Sequence, residues 1–259
     1  PGWAWDDYNN YYQAERSEMP IYGNVIQAVK KSNGDIEITP DKYKVVFDFE
    51  QKKHIDRSEI ENNFSLNPSL FQSGDTIYSP FITSRKNTIS LLENALGIKL
   101  EFKMEELKDY NVLNSSQVDD VYSAILKDSD NLISESIAAN ISFRLNDTIS
   151  VVKGVELIKS LSKQTELFDG SGLSRYNLVT PKSIISSLYD IYNLIGFDRI
   201  KKIFPKNYII QGKEEFVWGK TGTLKNNHNY SGYLITDKNR IYIFSIMINH
   251  FTNDLSKIK

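Results

Sequence analysis

Apolar positions along this chain follow two rhythms. Between residues 21 and 71 the runs YGNVIQAV, DIEITP and YKVVFDFE alternate or cluster β-branched and aromatic residues between Asn-Gly and Pro breaks. That two-residue period belongs to half-buried strands. Ser32-Asn33-Gly34-Asp35 stands between two such runs and predicts a hairpin. Residues 21–71 therefore read as β-rich.

Further on the spacing becomes helical. SRKNTISLLENALGI puts Ile89, Leu92 and Leu96 on one face, with Gly97 as a C-terminal stop. SSQVDDVYSAILKDSDN spaces Val118, Val121, Tyr122 and Ile125 as a helix, with Ser116 as its expected N-cap. DNLISESIAANISF and TISVVKGVELIKSLS continue the helical region. In TPKSIISSLYDIYNLI, Thr180 as cap and Pro181 at the first helical position mark a start. The end returns to strands, expected over residues 216–224, 231–236 and 240–249, the last two joined by Asp237-Lys238-Asn239. Short connections imply an antiparallel meander, and the whole order predicts an α+β fold.

Composition narrows the function classes. Charged residues make up 25% of the 259 residues and the formal net charge is -2, so no basic surplus points to nucleic acid. No cysteine is present, which excludes a disulfide, a thiolate metal site or a cysteine nucleophile. Three scattered histidines, His54, His228 and His250, read as surface or loop residues and give no metal site. No apolar run approaches the roughly 18 residues of a membrane helix, although membrane association is left open. The chain opens at Pro1, and targeting is not legible from it.

The segment EEFVWGKTGTLKNN carries the first chemistry. Gly219-Lys220-Thr221 looks like the end of a phosphate-binding loop, but six residues, Lys213–Trp218, separate Gly212 from Gly219 where that motif allows four. Phe216, Val217 and Trp218 favour a sheet, and the following LKNNHNYSG lacks a helical period. As a strand, the segment places Lys220 and Gly222 on one face and Thr221 and Thr223 on the other. Gly222 lets a substrate lie close to the backbone, Lys220 supplies a cation, and the threonine hydroxyls can hold a carboxylate. Lys-Thr-Gly acquires meaning with an upstream Ser-x-Asn, and LKDSDNLISE contains Ser129-Asp130-Asn131 at a break between helical stretches. A Ser hydroxyl there can relay a proton, and an Asn amide can hold a peptide carbonyl. The same three residues also suit a helix cap.

DNLISE, FDGSGLSRYNLVTP, the opening PGWAWDDYNNYY and KTGTL with SGYLIT and IYIFSIMIN resemble, in order, segments of the class C low-molecular-mass penicillin-binding proteins. These are the S13 peptidase family of D-alanyl-D-alanine carboxypeptidases/endopeptidases. The likeness covers the chain ends and most of residues 115–249 and is weakest over 21–113. It implies a β-lactamase/transpeptidase-like fold, an antiparallel sheet flanked by helices, with an inserted β-rich domain. Residues 1–20 and 111–259 would belong to the penicillin-binding domain and 21–110 to the insertion, which looks short for the family. The implied activity is serine-type D-Ala-D-Ala carboxypeptidase/endopeptidase action on peptidoglycan stem peptides through an acyl-enzyme, with β-lactams as ligands, no metal or other cofactor, and an extracytoplasmic, periplasmic or cell-envelope location. Ser129 would relay protons, Asn131 bind the substrate amide, Lys220 add positive potential, and Thr221, Gly222 and Thr223 hold the substrate, the Thr223 backbone serving as an oxyanion donor.

Two features qualify this expectation. The DGSGLSR loop, Asp169 to Arg175, reads as a support near the cleft, because no base stands in sequence context to activate Ser171. The family's acylated serine lies in an S-x-x-K motif before P-G-W-x-W-D-D. The match Ser160-Leu161-Ser162-Lys163 follows Ser129-Asp130-Asn131, where water-facing helix residues explain it. The nucleophile and its lysine are therefore expected upstream of Pro1 or lost, leaving these residues alone inactive. The alternative is a non-catalytic peptidoglycan-binding or scaffold protein with a relic of the site.

Overall fold

The computed structural model describes residues 7–104, 116–162, 164–206 and 216–258. They form two compact units, one from the first of these segments and one from the rest.

The first unit is β-rich, as its alternation predicts. Strands β1 (Val25–Lys30), β2 (Ile36–Thr39) and β6 (Thr76–Pro80) form an antiparallel sheet with β1 in the middle. The hairpin between β1 and β2 turns through Gly34 at φ 92°, where the sequence places it. A second sheet orders β3 (Val45–Phe47), β5 (Phe64–Leu66) and β4 (Ile55–Arg57), with β3 parallel to β5. Ile26 and Ala28 from the first sheet and Ile55, Phe64 and Leu66 from the second meet in one core. Helix α1 (Arg85–Leu96) is capped by Ser84 and ends at Gly97 in the left-handed conformation. Its buried residue is Leu91 rather than the predicted stripe, of which Leu96 is exposed. Residues 7–20, assigned on sequence to the penicillin-binding domain, bond within this unit: Tyr8 Oη donates to Arg57 O, and the Thr83 amide donates to Glu15 Oε2.

The second unit contains the sheet expected at the end of the chain. Strands β9 (Val217–Leu224), β10 (Asn227–Ile235) and β11 (Ile241–Asn249) form an antiparallel meander with β10 central. β10 starts four residues before the predicted Ser231, because Lys225 and Asn226 alone turn the β9–β10 hairpin, Asn226 at φ 67°. Trp218, Tyr233, Ile235 and Ile243 pack with Leu188, Ile200, Ile203 and Phe204 from helices α5 (Pro181–Ile195) and α6 (Phe197–Ile203) and the residue after them. The phenol of Tyr233 donates to Leu188 O at 2.7 Å. α5 begins where Thr180 and Pro181 predict, with Thr180 and Ser183 in a reciprocal capping box. Helix α6 and the two-stranded ribbon of β7 (Thr165–Glu166) with β8 (Leu178–Val179) have no counterpart in the sequence reading.

Helices α2 (Val118–Leu126), α3 (Asn131–Asn146) and α4 (Val151–Leu161) complete the unit. Ser116 does not cap α2. Gln117 stands at that position without a side-chain bond, while Asp119 and Asp120 place negative charge in the first turn. α3 and α4 approach closely at Gly154, where an added Cβ would lie 1.7 Å from Ala138 O.

Candidate active site

The turn between α2 and α3 divides Ser129-Asp130-Asn131 into separate jobs. The Asp130 amide returns to Ala124 O at 3.1 Å, closing the end of α2, and Ser129 takes φ 60° to reverse the chain. A left-handed backbone at a non-glycine residue costs on the order of 1 kcal/mol and is found where the surrounding fold imposes it. Asp130 then caps α3, its carboxylate accepting from the Ile133 amide at 2.8 Å. Asn131 is the first helical residue and is half-buried. The capping role expected of this triplet thus falls to Asp130 alone.

Ser129 is turned toward β9. The Lys220 ammonium donates to Ser129 Oγ at 2.9 Å and to Thr221 O at 2.7 Å. Because the Ser129 oxygen accepts from Lys220, its own proton is available to a different acceptor. Burial pushes the Lys220 ammonium below the ordinary lysine range.

β9 offers an edge. On the side away from β10, Lys206 bridges Trp218 and Gly219 N donates to Pro205 O at 3.1 Å. Among the described residues no strand covers Lys220 to Leu224 on that side. In an antiparallel ladder alternate residues face the neighbour, and Phe216 O accepts from the Ile235 amide on the β10 side. The backbone groups of Gly219, Thr221 and Thr223 consequently face the open edge. Gly222 has no atom within 4 Å of where a Cβ would stand, so the strand is approachable there. Thr223 Oγ1 lies 2.8 Å from His228 Nδ1. Ser129 and Lys220 are thus joined directly, Thr221 is joined to Lys220 through its carbonyl, and Gly222 and Thr223 extend the same strand.

One result differs from the sequence reading. His228, expected on a surface or loop, is buried on β10 opposite Thr223. The Lys225-Asn226 hairpin would have revealed that pairing, but the Asn-rich LKNNHNY reads as a loop. Neither of the other histidines is joined to β9 by a described bond: His54 lies edge-on to Phe71, and His250 follows β11 exposed. In the expected chance match, Ser160 Oγ donates to Leu157 O inside α4, and Lys163 lies outside the described residues.

The DGSGLSR loop is organised by one carboxylate. Asp169, buried, accepts from the amides of Gly172 and Ser174, from Ser171 Oγ and from Asn177 Nδ2. The loop is fastened to α3 by Ser134 Oγ donating to Gly170 O and by the Gly170 amide donating to Glu135 Oε2, both at 2.6 Å. The sequence shows a tight loop but gives no sign that Asp169 holds it together. Asp169→Ala strands the buried Ser174 amide and loosens three other donors, so an unfolding free energy lower by about 3 kcal/mol is expected. Urea unfolding checks this, and a loss under about 1 kcal/mol would show that water replaces the carboxylate.

The corner between α2 and α3 that bears Ser129-Asp130-Asn131 is thus bonded to the strand that bears Lys220-Thr221-Gly222, in an antiparallel sheet packed against helices. Residues 97–259 match the model of the D-Ala-D-Ala carboxypeptidase 3 (S13) family, and the chain belongs to that family. D-alanyl-D-alanine carboxypeptidase DacB of Haemophilus influenzae is 32% identical over 166 residues, 56% of this chain and 35% of that protein. Penicillin-sensitive carboxypeptidase A of Dictyostelium discoideum is 26% identical over 186 residues, 62% of this chain and 35% of that protein. The chain thus spans about a third of the length of these relatives. The crystal structure of penicillin-binding protein 4 from H. influenzae superposes with a TM-score of 0.66 at 20% identity, covering 98% of this chain and 66% of that one. The same protein complexed with a β-lactam gives 0.61 at 18%, covering 95% and 67%. The fold is therefore that of a penicillin-binding protein, with the α+β order expected from the sequence.

Proposed function

We propose that the protein is a serine-type D-Ala-D-Ala carboxypeptidase/endopeptidase of peptidoglycan, acting through an acyl-enzyme outside the cytoplasm. The β-rich unit is then an insertion in its penicillin-binding domain. The observation that carries this reading is the 2.9 Å bond from Lys220 to Ser129. No Ser-x-x-Lys precedes Ser129 in these 259 residues, so this reading requires an acylated serine and its lysine supplied by the full-length protein outside them. That serine attacks the carbonyl of the penultimate D-Ala, its proton passes to the departing amine, and water later releases the acyl group.

This chain supplies the rest of the site. Ser129 carries the proton to the amine, held in place by a lysine that donates to its oxygen. The substrate peptide lies along the open edge of β9 as an added strand, with Gly222 admitting its backbone. Asn131 holds the peptide amide, Thr221 and Thr223 receive the terminal carboxylate, and the Thr223 amide stabilises the oxyanion. β-Lactams follow the same path and remain on the serine.

The test is release of D-alanine from a pentapeptide stem by the full-length protein, abolished by benzylpenicillin. Binding of the peptide without release by folded protein would instead favour a non-catalytic peptidoglycan-binding role. A pH dependence also follows. The site needs Lys220 charged, and burial lowers its pKa, so penicillin acylation declines with rising pH below the ordinary lysine value of about 10.4. In Lys220→Arg the residual rate should show no such alkaline limb up to about pH 11, because guanidinium keeps its charge. An identical limb in both proteins would assign it to another group.

A further inference from the structure

We propose that His228 is a positioning residue that sets the direction of the Thr223 hydroxyl, and thereby makes the site selective for a free carboxylate. The inference rests on the peptidase reading above. His228 is buried on β10, in register with Thr223 on β9, and its Nδ1 lies 2.8 Å from Thr223 Oγ1. A hydroxyl has one proton, and a carboxylate only accepts. If Nδ1 accepts from Thr223, that proton is spent inside the sheet and the hydroxyl turns lone pairs toward the ligand's negative charge. If Nδ1–H donates, the Thr223 oxygen is satisfied from behind and its proton points into the cleft. Carboxylate recognition by Thr223 therefore requires the Nδ1-protonated ring, and the strand register holds the ring where only that tautomer serves.

The arrangement separates two ligand types. A ligand with a free carboxylate benefits from the oriented proton, whereas one whose carboxylate is masked does not need it. The neighbouring hydroxyl of Thr221 has no described bond to a histidine, so the selectivity is assigned to Thr223 and His228 together.

The experiment compares acylation of the full-length protein by a fluorescent penicillin and by its methyl ester. For His228→Leu, the rate with the free acid should fall by about ten-fold or more, while the rate with the ester stays within about two-fold, the loss of one charge-assisted hydrogen bond. His228→Asn, whose side-chain amide can donate, should recover part of the free-acid rate. Equal losses on both ligands, or no loss on either, would overturn the proposal while labelled wild-type protein leaves the peptidase reading standing. Wild-type protein labelled by neither compound would overturn both. Should His228→Leu fail to fold, 15N spectra of histidine-labelled wild-type protein decide. A proton on Nδ1 of His228 supports the proposal, and a neutral ring protonated only on Nε2 contradicts it.

Discussion

Replacing Lys220 with alanine should slow penicillin acylation of the full-length protein by about 10²–10³-fold while leaving it folded. Two effects add. The half-buried ammonium stands on the strand whose edge no described strand covers, and a preorganised charge in a partly desolvated site acts on developing negative charge more strongly than in water. It also fixes the donor–acceptor sense at Ser129: with Lys220 donating to its oxygen, the serine proton is directed elsewhere. Alanine removes both, and Ser129 is left with a hydroxyl free to rotate at a strained corner, φ 60°. Lys220→Arg keeps the charge but brings a planar fork where one ammonium now reaches Ser129 and Thr221 O, so it should recover only part of the rate. Stopped-flow labelling with unchanged thermal unfolding is the check. A Lys220→Ala protein that acylates within about three-fold of wild type would remove the lysine from the mechanism.

The second large effect is structural. Gly154→Ala should destabilise the second unit by about 3 kcal/mol, whereas the same change in an exposed helix would stabilise by up to about 1 kcal/mol. The sign reverses because the new Cβ would stand 1.7 Å from Ala138 O and 2.5 Å from its carbonyl carbon. These are backbone atoms of α3, and no rotamer moves them aside. The helices must separate instead, and α3 is the helix that begins at Asn131 and follows Ser129. Penicillin acylation should therefore fall together with stability. Urea unfolding and labelling of the same variant test this, and a stabilised Gly154→Ala would mean that the two helices are not in contact there.

How far the sequence reached depends on the kind of signal each segment carries. α5 was legible because Thr180 and Pro181 act locally, through a cap and a fixed φ. The order of Ser129-Asp130-Asn131 and Lys220-Thr221-Gly222-Thr223 suggested one site, but the 2.9 Å between Ser129 and Lys220 is made by the packing of a helical layer on a sheet, to which no local rule gives access. β10 began too late because asparagines in LKNNHNY favour turns when read alone, while pairing with β9 and β11 on both sides overrides that preference. His228 was lost with it. In α1 the spacing of Ile89, Leu92 and Leu96 points about one position off the buried face, and only the packed core selects Leu91.

Whether Ser129 and the strand from Lys220 to Thr223 line an acylating serine site is tested most directly by treating the full-length protein with a fluorescent penicillin and mapping the adduct by peptide mass spectrometry. One covalent adduct is expected, on the serine of a Ser-x-x-Lys motif outside these 259 residues, lost in Lys220→Ala at short reaction times. No adduct on folded full-length protein, or an adduct on Ser129, Ser160 or Ser171, would contradict it.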